Sequence, residues 1–254
     1  MFASEASGAF VDLDVPAWVW LATLGVLAAL LLCDILILHR TPVVPTMRSA
    51  ARETMGWVLV GIGFGLVVLI GLGTGAGGEW FSGYLIEYSL SIDNVFVWAI
   101  ILMSFAVPAI YQHRVLFWGV FGALVLRAVF IIAGVSLVKR FDWILYLFGA
   151  FLLYTAFKLA FGKDHDADPT QGRFMRLVRR AVPMTDEIDG QHLFTRIDGK
   201  RVATPLFAVL LLVEFTDLLF AVDSVPAVLA VSHETFIVFT SNAFAIMGLR
   251  SLYF

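Results

Sequence analysis

Long apolar blocks with few charges dominate this sequence and restrict its fold more than any other feature. Seven blocks come close to or exceed the roughly 20 residues with which an α-helix crosses a bilayer. They lie at residues 17–38, 56–73, 80–109, 115–138, 142–161, 205–231 and 235–254. Because lipid offers no partners to backbone polar groups, only helices and closed barrels span membranes. The sequence therefore predicts an all-α fold, a polytopic transmembrane helical bundle with about seven spans.

The composition belongs to the same class of protein. Of the 254 residues, 60% are hydrophobic and only 15% are charged, whereas a soluble domain has about 25% charged residues. The formal net charge of −3 at pH 7 gives no reason to expect a nucleic-acid partner. The single cysteine, Cys33, excludes an internal disulfide and a CxxC metal site.

Basic residues are concentrated in alternate loops between the blocks, which predicts the orientation in the membrane. A loop with three arginines, at residues 40–52, falls on the same face as the long segment 162–204. That segment carries eight further basic residues: Lys163, Arg173, Arg176, Arg179, Arg180, Arg196, Lys200 and Arg201. Because cytoplasmic loops are enriched in lysine and arginine, this face is predicted to be cytoplasmic and the N-terminus to lie outside. Lys139 and Arg140 are the one pair that opposes this assignment.

We predict a single transmembrane domain over residues 1–254, in which 162–204 forms a structured cytoplasmic loop. Within that loop, residues 172–184 have arginines at helical spacing beside apolar side chains, which predicts a basic amphipathic helix. Such a helix is either a solvated linker or lies on anionic lipid, and it could also dock the protein-secretion machinery. After it, Asp198-Gly199 between two strand-like flanks predicts a β-hairpin.

Two features concern how the helices pack. The spacing Gly61-x-x-x-Gly65 in the second block predicts that another helix approaches it closely. The last block ends at Phe254 without a polar tail. We therefore expect the chain to be C-terminally truncated, with further helices completing the bundle.

Carboxylates interrupt two of the apolar blocks, in two related clusters. The first cluster has Glu87 and Asp93, and the second has Glu214, Asp217 and Asp223. A charged acid at the centre of a membrane helix costs about 2.5–3.5 kcal/mol. We therefore expect some of these acids to be protonated and others to be paired or metal-bound, in a polar site inside the bundle.

The two acidic clusters align with each other. Aligned on their second aspartates, the matching segments are Glu87-x5-Asp93-Asn94-Val95 and Asp217-x5-Asp223-Ser224-Val225. The predicted helices that carry them cross the membrane in opposite directions. Inverted repeats whose polar residues meet near the midplane are common in transporters. The alignment therefore predicts an inverted repeat.

Helical geometry limits how these acids can act together. Six residues advance an α-helix by about 600°, so Glu87 and Asp93 diverge by roughly 120° around an unbroken helix. Two arrangements remain open. Either the helices bend or unwind at Pro108 or Pro226, or there are two neighbouring sites along one path.

The donors in and around these clusters are all oxygen ligands. Oxygen-only coordination suits Mg²⁺, Ca²⁺ or Mn²⁺ and argues against Zn²⁺ or Cu⁺. The predicted metal site comprises Glu87, Asp93, Asn94, Glu214, Asp217, Asp223, Ser224 and Asn242. Asp93 and Asp223 are predicted to be its central ligands, because each is followed by a neutral oxygen donor. Acids in such a site could also exchange a proton for the metal ion.

Other charges inside the blocks need separate explanations. Arg127, in the middle of a span, is predicted to be the counter-ion of one of these acids. Lys158, Asp34, Asp142 and Arg250 lie near span ends, where we expect contact with water or headgroups.

Three motifs in this order resemble the TerC family of integral membrane proteins, named for tellurium resistance and related to alkali-inducible manganese exporters. The motifs are EYSLSIDNVFV, VEFTDLLFAVDSVPAV and FTSNAFAIMGLRSLYF, and the resemblance runs from about residue 20 onward. It implies a helical bundle with an acidic core in the bacterial cytoplasmic membrane. It also implies Mn²⁺ efflux, with Mn²⁺ as the transported ion and no organic cofactor.

Three function hypotheses follow. The first is a divalent-cation exporter, for Mn²⁺ ahead of Ca²⁺ or Mg²⁺. The second is a membrane-biogenesis factor that loads metal into exported proteins beside the secretion machinery. The third, an intramembrane aspartyl protease, is disfavoured because five acids exceed the two that share a proton in that chemistry. No enzymatic activity is therefore predicted.

Overall fold

The computed structural model of this protein describes residues 10–34, 36, 46–141, 143–161, 173–197 and 199–254. These residues form helices and one two-stranded sheet. The helices are α1 (Ala17–Cys33), α2 (Met47–Leu72), α3 (Thr74–Ser104), α4 (Ala109–Arg140), α5 (Ile144–Phe161), α6 (Arg173–Ala181), α7 (Pro205–Leu229), α8 (Thr235–Met247) and α9 (Leu249–Tyr253). The strands are β1 (Phe194–Ile197) and β2 (Lys200–Ala203).

Among the described residues, five helical stretches are long and apolar enough to cross a bilayer. They are α2, α3, α4, α7 and the stretch Thr235–Tyr253 formed by α8 and α9. Two more predicted blocks correspond to α1 and α5, whose apolar described stretches are shorter. The predicted class, a helical membrane protein with several spans, is confirmed. The count of seven, the repeat and the orientation stay predictions.

The outer surface of the bundle is apolar, as expected for a protein whose solvent is lipid. Ile70 and Tyr146 are each 84% exposed, and many other large apolar side chains point outward. A soluble monomer rarely exposes apolar patches of this extent. The polar residues Glu87 and Arg127 are instead buried in the interior.

Helix α3 is at the centre of the bundle. It packs against α2, α7, α8 and α9, while α4 packs against α7 and α8. The glycine pair predicted to allow close approach lies at the α2–α3 contact. A Cβ on Gly61 would lie 2.8 Å from the Tyr84 side chain, and one on Gly65 would overlap the ring of Trp80. The close approach predicted at this spacing is thus found, and α3 is the partner.

The connection between α3 and α4 divides one predicted span. The block 80–109 was expected to be a single helix, but α3 ends at Ser104 and α4 begins after Pro108. Ala106 has φ 48°, and the Val107 amide donates to the Leu102 carbonyl at 3.0 Å. This is a Schellman-type end, and proline disfavours helix at the residue before it.

The helices that carry the acids are unbroken. α3 continues from Thr74 to Ser104, and α7 continues through Pro226, which lies inside it. Pro108 is the residue before α4 and does not interrupt a span. Of the arrangements left open by the sequence, unwinding at these prolines is therefore not observed. The acids of one helix diverge around it.

The segment between α5 and α7 has its own small structure. β1 pairs antiparallel with β2, Phe194 opposite Ala203, and Gly199 has φ 76° in the turn. Asp198, the other residue of the predicted turn, lies outside the described residues. Helix α6 buries Met175 and Val178 against the bundle and exposes Arg176, Arg179 and Arg180.

One expectation about span ends is wrong. Asp34 was expected to contact headgroups, but it is only 4% exposed and lines a small cavity with Trp57 and Phe117. The reason is that the end of α1 packs onto α2 and α4, so it lies inside the bundle. Asp142 and the side chains of Lys158 and Arg250 lie outside the described part of the chain.

Candidate functional site

Arg127, on the buried face of α4, is the centre of a polar network inside the bundle. Its side chain is 1% exposed. Nε donates to Oδ2 of Asp217 at 3.2 Å, and Nη2 donates to Oδ1 of the same carboxylate at 2.8 Å. Nη1 donates to Oε1 of Glu87. One guanidinium therefore joins an acid of α3 to an acid of α7, whereas the sequence analysis paired it with only one acid.

Neutral side chains complete the hydrogen bonds of this network. Ser91 Oγ donates to Oε1 of Glu87 at 2.6 Å, and Asn242 Nδ2 of α8 donates to Oε2 at 2.8 Å. Ser224 Oγ accepts from Nη1 of Arg127 at 3.4 Å. Four helices, α3, α4, α7 and α8, thus meet at one buried carboxylate–guanidinium cluster.

The charges of the network do not cancel when both acids are ionised. Glu87 and Asp217 contribute two negative charges and Arg127 one positive charge, so one negative charge remains. The two acids are 0% and 1% exposed, and Asn242 is 1% exposed. A buried charge is tolerated where it is paired and hydrogen-bonded. The residual charge makes this cluster attractive to a further cation.

Helical spacing explains why these residues meet. Along α3, Glu87, Ser91, Asn94 and Trp98 are separated by four, three and four residues, which places them on one face. Along α7, Asp217 and Ser224 are seven residues apart and share a face in the same way. Each helix thus presents an acid and, seven residues later, a neutral oxygen donor.

Two buried polar groups of this face lack partners among the described residues. Both amide atoms of Asn94 and the indole Nε1 of Trp98 are buried without a hydrogen bond there. Each of the two residues is 1% exposed. Sequence reasoning missed Trp98, although the spacing from Glu87 along the helix could have found it. The polar face of α3 therefore extends about three turns beyond Glu87.

Glu214 lies apart from the cluster, at the contact between α7 and α4. A Cβ on Gly122 of α4 would overlap the Glu214 carboxylate, so glycine leaves the space that this acid fills. Its Oε2 is buried and has no hydrogen bond among the described residues. Sequence reasoning did not identify Gly122, because nothing in the local sequence indicates which helix faces it.

Asp93 and Asp223, the predicted central ligands, are placed differently from Glu87 and Asp217. Asp93 is exposed on the outer side of α3, and Asp223 is partly exposed on α7. The structure thus joins Glu87, Asp217, Ser224 and Asn242 around Arg127, with Asn94 on the same face. Within the described residues, no three acidic, histidine or cysteine side chains are grouped as a metal site. The eight-residue metal site stays a prediction.

The end of the bundle that includes the α7–α8 turn has acids that the sequence analysis did not single out. Ser232 Oγ donates to Oε2 of Glu79 at 2.6 Å, and the Val11 amide donates to Oε1 at 2.6 Å. Glu234 Oε2 lies 3.6 Å from Lys139 Nζ. The segment before α1 is therefore attached to the start of α3 by a carboxylate.

The helices that form the network lie in the part of the chain that matches a known protein family. A family model described as the integral membrane protein TerC family matches residues 72–254, which cover α3 to α9. This chain belongs to the TerC family. The TerC match includes every member of the Arg127 network.

Similar proteins support the assignment to TerC. An uncharacterized membrane protein of Myxococcus xanthus is 46% identical over 92% of this chain and 74% of its own length. Alx of Escherichia coli strain K12, provisionally described as a membrane-bound redox modulator, is 44% identical over 90% of this chain and 74% of its own. An uncharacterized membrane protein of Rickettsia conorii is 34% identical over 92% of this chain and 78% of its own. No solved structure matches the chain significantly. The TerC protein described here is thus a multi-pass membrane protein.

Proposed function

We propose that this TerC protein exports a divalent cation, Mn²⁺ ahead of Ca²⁺ and Mg²⁺, across the bacterial cytoplasmic membrane. One observation carries the proposal: a buried cluster of oxygen donors that includes two carboxylates lies where four helices of the bundle meet. Ionisable residues inside membrane helices are rare and commonly mark substrate or ion pathways. Hard divalent cations prefer carboxylate, amide and hydroxyl oxygens.

In this mechanism Glu87 and Asp217 bind the cation, and Arg127 takes its place when no cation is bound. Two carboxylates neutralise one divalent ion, so the guanidinium has to leave them when the ion arrives. On α7 the displaced guanidinium keeps Ser224 as a partner, because Ser224 Oγ lies 3.4 Å from Nη1. Arginine thus keeps the two acids paired between transport cycles and prevents a costly unpaired charge.

The remaining predicted ligands line the path to this centre. Asn94 lies about two turns from Glu87 on the same face of α3, with free amide atoms among the described residues. Glu214 lies one turn before Asp217 and carries the exchanged proton.

The proposed topology has seven spans, with α1 and α5 as the shorter two and the N-terminus outside. The arginines of 40–52 and 162–204 favour this orientation. The inverted repeat is supported by the matching pairs Glu87–Asn94 and Asp217–Ser224, each an acid with a neutral donor seven residues later on a buried face.

Transport by purified protein is the direct test. The protein is reconstituted into vesicles that enclose a manganese-sensitive dye, and Mn²⁺ influx is measured. Glu87→Gln and Asp217→Asn, which keep side-chain size, should each lower the rate at least about tenfold, because a charged partner of a hard cation is lost. Glu187→Gln is the matched control, since Glu187 is exposed on the loop after α6. Unchanged Mn²⁺ flux in both site variants would reject the assignment of these acids.

A second candidate function is a membrane-biogenesis factor that loads metal into exported proteins. The exposed arginines of α6 favour it, because they offer a surface to a protein partner at one end of the bundle. The same reconstitution separates the two functions, since an exporter moves Mn²⁺ without any partner.

A further inference from the structure

Helix α6 lies antiparallel along the first turns of α7, with one contact between the two helices and a second between the segments that flank them. At one end the rings of Phe174 and Phe215 stack, with centroids 4.1 Å apart and planes 10° from parallel. At the other end Met184 bridges to Ala203, and the Thr185 amide donates to the Ala203 carbonyl at 2.9 Å. The position of α6 therefore follows the position of α7.

The apolar face of α6 is used for this contact. Met175 is 0% exposed and Val178 is 7% exposed, in the same apolar cluster as Leu206 and Val209 of α7. An interfacial helix that binds lipid through its apolar face needs that face to be free. Here the apolar face is covered by protein, so the opposite face of α6 is the one that remains open to lipid.

The opposite face of α6 is basic and open. Arg176, Arg179 and Arg180 are exposed, and their spacing of three and four residues places them on one side. Leu177 beside them is 64% exposed. Arg179 lies 3.7 Å from Asp186, and both side chains are more than half exposed, so this pair holds the arginine only weakly.

The neighbours of α6 place this face at one end of the bundle. Met175 packs in the same apolar cluster as Val107 and Val115, which lie at and just after the turn between α3 and α4. Because this turn joins two candidate membrane-spanning helices, α6 lies where those helices reach the membrane surface. One arginine side chain donates two parallel hydrogen bonds to the oxygens of a phosphate group, so these residues suit the phosphate of a lipid headgroup.

We propose that Arg176, Arg179 and Arg180 bind the phosphate groups of anionic lipids, and that this contact restrains α7 through Phe174 and Phe215. This lipid-binding proposal rests on the proposed orientation, in which this end of the bundle faces the anionic cytoplasmic leaflet. Phe215 lies two residues before Asp217. Lipid composition thereby acts on the helix that carries the proposed cation-binding acid.

Lipid selectivity is measured first, without any transport assay. The protein is placed in phosphatidylcholine vesicles with spin-labelled phosphatidylglycerol, and the immobilised fraction of label is recorded by electron paramagnetic resonance. Each basic residue near an anionic surface strengthens attraction about fivefold. The variant R176Q/R179Q/R180Q should therefore lower the relative association constant for phosphatidylglycerol at least about tenfold.

The matched control removes the same charge from the hairpin, as R196Q/K200Q/R201Q, and should keep the selectivity. An equal loss in both variants would mean that net charge alone attracts the lipid, which overturns the assignment to α6. Retained lipid selectivity in R176Q/R179Q/R180Q would also overturn the assignment to α6. If this variant keeps its lipid selectivity but no longer binds an acidic protein, the partner of the arginines is a protein and the lipid proposal is wrong.

Coupling to α7 is measured by hydrogen–deuterium exchange of its first turns. Phosphatidylglycerol should slow this exchange several-fold in the wild type and in Phe174→Leu, which keeps an apolar contact. Phe174→Ala should keep lipid selectivity and lose the slowing. Slowing that persists in Phe174→Ala would refute the coupling. Neither readout involves Mn²⁺, so a failure of the proposed export would leave both results interpretable.

Discussion

Replacing Arg127 by methionine tests both the fold and the proposed exchange of arginine for a cation. The variant removes the four hydrogen bonds of the guanidinium and leaves Glu87 and Asp217, 0% and 1% exposed, without their cationic partner. Removing one partner of a buried ion pair costs about 3–5 kcal/mol. We therefore expect the ratio of folded to unfolded protein to fall about 10²- to 10⁴-fold.

Two further measurements make this prediction specific. Neutralising both acids in R127M/E87Q/D217N should recover most of the lost free energy of unfolding, because no unpaired charge remains. Mn²⁺ should stabilise Arg127→Met more than the wild type, because the ion no longer competes with the guanidinium. Unfolding in detergent is followed by the loss of helical circular dichroism, with and without Mn²⁺.

Arg114→Met is the matched control on the same helix. Arg114 is exposed and its Nη1 makes one long hydrogen bond, 3.4 Å to Gln191. Its replacement should change the free energy of unfolding by less than about 0.5 kcal/mol. Wild-type stability of Arg127→Met, or no recovery in the triple variant, would refute the account of the network given above.

Two other predictions concern the space around Glu214 and the topology. Gly122→Ala should lower the free energy of unfolding by about 1–3 kcal/mol, because the added methyl overlaps the Glu214 carboxylate. Gly149→Ala is the control and should leave this free energy unchanged, because the added methyl meets no atom within 4 Å. Equal thermal unfolding of the two variants would contradict the packing around Glu214. In a Cys33→Ala background, an impermeant thiol reagent added outside should label Asp12→Cys and reach Met47→Cys only after the membrane is opened, and the reverse pattern would invert the proposed orientation.

The direction in which each acid points could be predicted only in part. The six-residue spacing showed that Glu87 and Asp93 cannot face the same way on an unbroken helix. It could not show which of them faces inward, because that depends on how α3 packs against other helices. The four-, three- and four-residue spacing of Glu87, Ser91, Asn94 and Trp98 contains that information, since their polar groups recur on one face.

Helix ends and buried span ends were harder to predict, for a related reason. Hydropathy finds the apolar centre of a helix, whereas its start is decided by capping. α2 begins at Met47, nine residues before the apolar block, because Thr46 and Ser49 form a capping box. Asp34 was misplaced because depth along a span does not show whether neighbouring helices cover that end.

The continuity of α3 and α7 has a consequence for the alternating access that the proposed export requires. Transporters with discontinuous helices can open a path by local rearrangement at the break. Here both acid-bearing helices pass the network without a break, so a gate at this point has to arise from tilting or sliding of whole helices past each other. The energy barrier of such a cycle then comes from the side-chain contacts between helices. The backbone hydrogen bonds within each helix stay intact throughout.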